Sequence, residues 1–579
     1  MNVVEKLTSG LERKYRLFTI LSPFAMVGEV LMETTIPLVM ARIVDVGVGG
    51  RNVRAVAMYG ALMVSMALFS LACGVGCGRL SSLAAFGFSR NLRRMLFGKV
   101  QSFSFRNIDK FGTGALVTRL TTDVTNVQNI YQGLIRTAVR APLMLVFGTV
   151  MACVVNLRLA CIFFAVIPVL AVILSVIASA AYPRFRVLFG KYDRLNTIVQ
   201  ENLIAMRVVK SFVRGDFERE KFDSVAVSLR DAQVRAEKIV ILNVPVMQIV
   251  IYSCIVSALW FGGNMVVSGS MTTGGLISFL SYITQILMSL MMLSMMFVQF
   301  ILSRASVSRI CEVLDEVPAV MENGGASEAA RAAGGLSVEF DDVSFSYSEG
   351  AGKEVLSGIS VSIPAGATVG IIGGTGSSKS TLVQLIPRLY DVSSGSVRVG
   401  GIDVRDWRLG SLRKNVAVVL QKSVLFSGTI AENMRWGNED ATDSEIEEAC
   451  AASDAHSFVS ALPDGYGTVI GQGGVNLSGG QRQRLCIARA LLKKPAVLIL
   501  DDSTSAVDTA TDLRIRGALR SALPGATKII IAQRIASVAD SDFIVVMDGG
   551  RVCGIGTHEE LLAGCAIYRE VYESQMSGE

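Results

Sequence analysis

Gly373-Gly374-Thr375-Gly376-Ser377-Ser378-Lys379-Ser380-Thr381 is the stretch from which the rest of the chain can be read. It follows an apolar run, Ala367-Thr368-Val369-Gly370-Ile371-Ile372, and leads into Leu382-Val383-Gln384-Leu385-Ile386. Strand, loop, helix is the setting of a phosphate-binding loop. Small residues let successive backbone N–H groups close around an anion. The following helix turns its positive end toward the same anion, and Lys379 adds a point charge. Ser380 offers the hydroxyl that a magnesium ion takes as ligand. Ser378 departs from the motif, which has glycine before the lysine. A Gly/Ser-rich turn with a chance lysine is the competing reading, and only further motifs displace it.

At 579 residues the chain is too long for one domain. Hydrophobic residues make up 51% and charged residues 18%, a balance that places a large part of it in lipid. The net charge of +6 gives no case for nucleic acid, and none is expected as a partner. The ten cysteines lack zinc or disulfide spacing; Cys73 and Cys77 share an apolar run, where packing is the simpler role. Residues 1–16 are polar and amphipathic, and read as an elbow helix on the cytoplasmic membrane face, not as a cleavable signal.

Six apolar spans follow, at about Leu17–Val46, Val56–Leu80, Tyr131–Val155, Leu159–Ala181, Val240–Val267 and Gly275–Leu302. Most reach the roughly 20 residues needed to cross hydrocarbon. Residues 82–130 and 182–238 are long, charged and helix-compatible, whereas Gly47–Arg54, Asn156–Arg158 and Ser268–Thr273 are short. The long segments hold most of the arginine and lysine, so they and both termini are expected in the cytoplasm of a cell-membrane protein. A domain over 17–315 with two long cytoplasmic hairpins results. Lys110-Phe111-Gly112-Thr113-Gly114 and Arg214-Gly215-Asp216-Phe217 interrupt the hairpins, as gripping points or as plain turns. Glu29 and Glu33 lie four apart in the first span and share a helix face. Carboxylates in hydrocarbon usually face a cavity or a partner, so the pair is either a cation-attracting patch on a substrate path or polarity at a helix contact.

A small, polar linker over 316–335 leads to an α/β pattern over 336–579. Tyr347, in Phe345-Ser346-Tyr347, places an aromatic ring ahead of the phosphate loop. Ala496-Val497-Leu498-Ile499-Leu500-Asp501-Asp502 is an apolar strand ending in carboxylates, where P-loop enzymes hold magnesium. Between them lies Leu477-Ser478-Gly479-Gly480-Gln481, a highly specific run.

In this order the motifs resemble those of an ATP-binding cassette half-transporter of the exporter fold, and the resemblance covers essentially the whole chain. It implies an all-α six-helix membrane domain followed by an α/β P-loop domain with a helical subdomain. It implies ATP and Mg2+ as cofactors, with magnesium at Ser380, Gln421 and Asp501. Tyr347 corresponds to the adenine-stacking aromatic, Gln421 to the glutamine linking magnesium to the coupling helices, and Ser505-Ala506-Val507-Asp508 to the loop that crosses to the partner. The two hairpin interruptions correspond to coupling helices, the second reaching the partner's nucleotide domain.

Relatives place a glutamate after the strand-end aspartate, where this chain has Asp502, and a switch histidine where it has Gln533. Aspartate is one methylene short, setting its carboxylate back by about 1.5 Å as a base. Glutamine hydrogen-bonds a phosphate but does not change protonation. His456 and His558, the chain's two histidines, lie elsewhere, and Gln472 stands where many relatives have glutamate. In this family each ATP sits between one chain's phosphate loop and the other's Leu-Ser-Gly-Gly-Gln. Ser378, Asp502 and Gln533 all belong to the half that holds ATP in cis, while the signature given in trans is intact. The expectation is the degenerate-site subunit of a heterodimeric, ATP-driven exporter in the lipid bilayer, taking amphipathic small molecules, drugs or lipids. Uptake of a siderophore or metabolite on the same fold, and an ATP-switched regulator, are the alternatives. The 23 methionines fit an adaptable apolar cavity or ordinary membrane packing equally well.

Overall fold

The structure, a computed structural model, describes residues 3–322, 334–347 and 354–576. The chain divides into two compact units, one of Met1–Gln101 and Gly114–Asp315, the other of Ser102–Thr113 and Glu316–Glu579. Most of the linker expected at 316–335 lies outside the described residues.

In the first unit six helices are long and apolar enough to cross a membrane: Arg13–Val48, Val53–Gln101, Thr113–Val155, Leu157–Ile204, Gly215–Val267 and Thr273–Asp315. Each contains one of the expected spans and runs past it, because the flanking charged residues keep helical propensity and can hydrogen-bond water outside lipid. The elbow expected over 1–16 is shorter: a helix covers Val3–Thr8, and Arg13–Arg16 already belong to the first spanning helix.

Core contacts fix the bundle. Tyr282 and Phe279 of the last helix are fully buried, the Tyr282 hydroxyl donates to the Thr34 carbonyl at 2.7 Å, and Phe279 packs on Phe163 with ring centroids 5.3 Å apart. Where the helices extend into charged sequence, ion pairs take over. Arg309 Nε donates to the buried Asp123 Oδ2 at 2.8 Å, and Arg119 Nη2 to Glu312 Oε2 at 2.7 Å. The second hairpin breaks at Phe212–Arg214, between a helix ending at Ser211 and one starting at Gly215. Phe212, Val213 and Phe217 are exposed there.

The second unit is built on a six-stranded sheet in the order Arg551–Gly556, Phe543–Asp548, Thr368–Ile372, Thr527–Ile531, Val497–Asp501, Val416–Val419. All pairings but the first are parallel. Parallel strands are covered on both faces, which is why Val497–Asp501 and Thr527–Ile531 are buried at every position. A second, antiparallel sheet joins Leu356–Ile363, Val338–Phe345, Ser394–Val399 and Ile402–Asp403. Short helices at Ile430–Arg435, Asp443–Ala452 and His456–Ser460 precede the longer helix Gly479–Leu492.

The topology places the motifs. The phosphate loop follows Ile372, Gln421 follows Val419 by two residues, Asp502 follows Asp501, and Gln533 follows Ile531 by two. All four leave the carboxyl edge of the parallel strands, the edge at which such sheets bind ligands.

Candidate functional site

The phosphate loop is set by backbone constraints first. A side chain on Gly373 would meet the Met547 carbonyl at 2.1 Å, so only glycine passes the neighbouring strand. Ser378 has φ 71° and ψ 22°, the left-handed conformation that the motif's glycine adopts freely, immediately before the helix Lys379–Leu385. Lys379 Nζ donates to the carbonyls of Gly373 at 2.8 Å and Gly374 at 2.9 Å, and to Ser377 Oγ at 3.1 Å. Burial lowers its pKa, with the charges of Asp502 and Asp501 acting in the opposite sense.

Ser380 Oγ donates to Asp501 Oδ1 at 2.8 Å, which brings two of the three expected magnesium ligands together. Burial, with a smaller push from Asp502, raises the Asp501 carboxyl above its ordinary range; the Ser380 hydroxyl and the Lys379 charge work against that. A hydroxyl and a carboxylate are hard oxygen donors, and one or two such ligands plus phosphate oxygens suit Mg2+.

Asp502, buried and at φ 48°, is the centre of the cluster. Its Oδ2 accepts from Gln421 Nε2 at 3.2 Å and from Gln533 Nε2 at 2.8 Å. Asp502 thus links the other residue expected at the cleavage position, Gln533, to the glutamine expected near magnesium. Tyr347 also closes on the loop: its hydroxyl lies 3.0 Å from Thr381 Oγ1, and its ring packs edge-on against Phe345 and Tyr390. Within the same unit the helix Phe105–Phe111 from the first hairpin reaches this aromatic group. Tyr390 donates its hydroxyl to Asp109 Oδ2 at 2.8 Å, and Phe105 lies 6.1 Å from the Tyr390 ring.

Ser478 caps the helix Gly479–Leu492: its Oγ accepts from Gln481 N at 3.2 Å, and Gln481 Oε1 accepts from Ser478 N at 2.8 Å. The helix N-terminus is therefore ordered and carries the positive end of the helix dipole. Leu477 is buried behind it. A Cβ on Gly480 would meet the Ala506 carbonyl at 2.7 Å, so the signature lies directly on the loop Ser505–Asp508. Gln483, which the sequence reading passed over, ties the two: its Oε1 accepts from Ala506 N at 3.0 Å, and its Nε2 donates to Ser505 Oγ at 3.2 Å. His456 and His558 are bonded to Tyr466 and Tyr568, away from this cluster.

The sequence profile described as "ABC transporter transmembrane region" matches residues 19–305, and the one described as "ABC transporter" matches 356–505. The chain is 38% identical over 567 residues to the uncharacterized ABC transporter ATP-binding protein YfiB of Bacillus subtilis, covering 98% of each. The chain belongs to the ABC transporter family. A solved bacterial Atm1-family ABC exporter with ATP bound superposes with a TM-score of 0.85 at 26% identity, over 97% of this chain and 99% of the other. The ATP-dependent lipid A-core flippase of Desulfotalea psychrophila is 33% identical over 490 residues, 84% of each chain. This ABC transporter is accordingly an ATP-hydrolysing, multi-pass membrane protein of the exporter fold, with its nucleotide-binding domain in the cytoplasm.

In the membrane unit of this ABC transporter, Glu29 and Glu33 are not a bare acidic patch. Arg140, in the third spanning helix, donates Nη1 to Glu29 Oε1 at 2.6 Å and Nη2 to Glu33 Oε2 at 2.8 Å. Of the two readings open in the sequence, this geometry matches polarity at a helix contact. Glu29 Oε2 is buried and has no hydrogen-bond partner among the described residues. Arg140 was legible in principle, since the argument that singled out the two glutamates applies equally to an arginine inside an apolar span.

Proposed function

We propose that this chain is the degenerate-site half of a heterodimeric exporter. Its own site holds ATP with Tyr347, Gly373 to Thr381 and Mg2+ on Ser380, Gln421 and Asp501, and hydrolyses it slowly or not at all. Its Ser478, Gly479 and Gly480 complete the productive site of a companion half-transporter that carries the missing glutamate and histidine.

The observation that carries this reading is the occupation of Asp502. One of its two oxygens, Oδ2, already accepts two amide N–H groups, from Gln421 and Gln533, which fix the orientation of the carboxylate. A general base needs a free lone pair within reach of the nucleophile, and an aspartate is already short of it. Neither amide releases or accepts a proton in exchange, as a histidine would. Where Mg2+ binds, it neutralises the charge on the β- and γ-phosphates; Lys379 and the loop's N–H groups orient them, and Ser478 with its helix N-terminus does so for the companion's nucleotide.

ATP binding closes the nucleotide domains on each other, and hydrolysis at the companion's site reopens them. The hairpin segments Phe105–Phe111 and Arg214–Phe217 pass this to the membrane helices, the second through the companion's nucleotide domain. Amphipathic small molecules or lipids are the substrate class, supported by likeness to a lipid flippase and by the apolar membrane unit.

The test is ATP turnover of the purified pair. Asp502→Ala here should leave most activity, and loss of the companion's corresponding glutamate should remove it. The reverse pattern would sink the assignment. Transport of a lipid or amphiphilic probe into sealed inside-out vesicles distinguishes an exporter from a switched regulator, which would bind ATP without accumulating the probe.

A further inference from the structure

The switch position is held from behind by a residue that none of the motifs contains. The helix Ala566–Met576 packs onto the nucleotide domain through Tyr568, Val571 and Tyr572. These positions and Gln575 are spaced i, i+3, i+4, i+7, so Gln575 is the last position of the docked face. Both ends of its side-chain amide are engaged. Nε2 donates to the Gln533 carbonyl at 2.7 Å, and Oε1 accepts from the Ile535 N–H at 2.9 Å. One planar group therefore staples the backbone on both sides of Arg534, where the chain leaves the strand Thr527–Ile531 and enters the turn Ile535–Ser537. Those two backbone groups lie outside the sheet ladder, and Gln575 is what satisfies them. Gln533 in turn places its Nε2 on Asp502 Oδ2. The path from the C-terminal helix to the centre of the site is two side chains long.

We propose that Gln575 is a positioning residue for the nucleotide's γ-phosphate end. By fixing the backbone of Gln533 it sets how firmly this chain keeps ATP, and it makes the seating of the C-terminal helix a control on the site. Only an amide serves both contacts: a carboxylate can accept from Ile535 but cannot donate to Gln533. The inference rests on the reading that Gln533 stands at the γ-phosphate.

The test uses the full-length transporter in lipid nanodiscs, with photoreactive ATP and ADP analogues read on this chain by its mass. Gln575→Ala should speed ATP release about fivefold, the loss of two ordinary hydrogen bonds partly replaced by water. ADP release, which lacks the γ-phosphate contact, should stay within about twofold. Gln575→Glu should fall between the two. In a Gln533→Ala background, Gln575→Ala should add nothing, because its route is gone. Unchanged ATP release in Gln575→Ala overturns the inference. So does equal acceleration of ATP and ADP, which marks a loosened domain, or an additive double variant. If Gln533→Ala alone leaves ATP release unchanged, the reading of Gln533 at the γ-phosphate is what fails.

Discussion

Ser378 bears the cost of its own position. A left-handed conformation costs a non-glycine residue about 1 kcal/mol or more, and the φ of 71° is fixed by the loop's need to turn its N–H groups inward. Ser378→Gly removes that strain, but glycine's freedom in the unfolded chain takes back about half of it, so the gain in stability is small. Ser378→Val is more telling. A β-branched residue fits this region poorly, and equilibrium binding should show ATP affinity about tenfold weaker. A valine variant that binds as tightly as the parent would mean the loop leaves the left-handed region at little cost. Asp501 carries a pH signature. Its pKa is raised above the ordinary 3.8, mainly by burial. An acid with a raised folded pKa is ionised at a penalty, so it lowers stability at neutral pH, and the penalty is relieved as pH falls through the raised value. Magnesium needs the ionised form. Mg-dependent ATP binding should therefore weaken on acidification while pH is still above 3.8, with proton release on binding in that window. Calorimetry in buffers of different ionisation enthalpy measures that proton, and Asp501→Asn should abolish it.

Between secondary-structure elements, the decisive contacts are close approaches and single hydrogen bonds. Gly480 sits where any side chain strikes the Ala506 carbonyl, so Gly480→Ala pushes the signature helix off the loop Ser505–Asp508. Turnover of the assembled transporter should fall by about tenfold or more, a misplacement effect on the proposed two-chain site, while ATP binding at this chain's own phosphate loop is retained. Equal loss of both would place the damage in folding. Tyr390→Phe deletes one hydroxyl, the donor to Asp109 on the helix Phe105–Phe111. Basal ATPase should persist and its stimulation by transported compound should drop severalfold. Legibility follows the same divide. The strands Thr368–Ile372 and Val497–Asp501 were readable because burial on both faces demands continuous apolar runs, and the phosphate loop and Asp502 were readable because they end those runs. Tyr390 and Asp109 stand 281 positions apart, and no local pattern marks such a pair. Gln575 was illegible for a related reason: its partners are backbone groups, which leave no trace in residue type. The first-unit spans were readable as apolar runs and their continuation as the helix-compatible stretches 82–130 and 182–238, but the exact helix ends were not, since water-exposed helix and loop share one composition.

For the molecule as a whole the issue is which half does which work. On the proposed function the chain has two nucleotide-facing surfaces with unequal chemistry: a phosphate-loop side whose carboxylate is held by two amides, and a signature side whose helix N-terminus is capped. If each ATP lies between unlike surfaces of two chains, the two surfaces of this one serve different events, and variants should separate them. Lys379→Ala removes the point charge from the phosphate loop and, on the proposed assignment of the productive nucleotide to the companion, should leave a substantial fraction of turnover in the pair. Ser478→Arg places a long cation at the cap proposed to face the companion's nucleotide, and should reduce turnover to background while this chain still binds ATP. Both are measured on the co-purified pair as ATPase rate beside nucleotide retained per chain. Expressed alone, the chain should retain ATP and turn it over at only a few per cent of the pair's rate, since an unassisted site lacks a general base normally contributing about a hundredfold or more. Abolished turnover in Lys379→Ala with spared turnover in Ser478→Arg would reverse the assignment. Vigorous hydrolysis by the chain alone would remove the need for a companion altogether, and with it the physical reason for Asp502 to be held by Gln421 and Gln533.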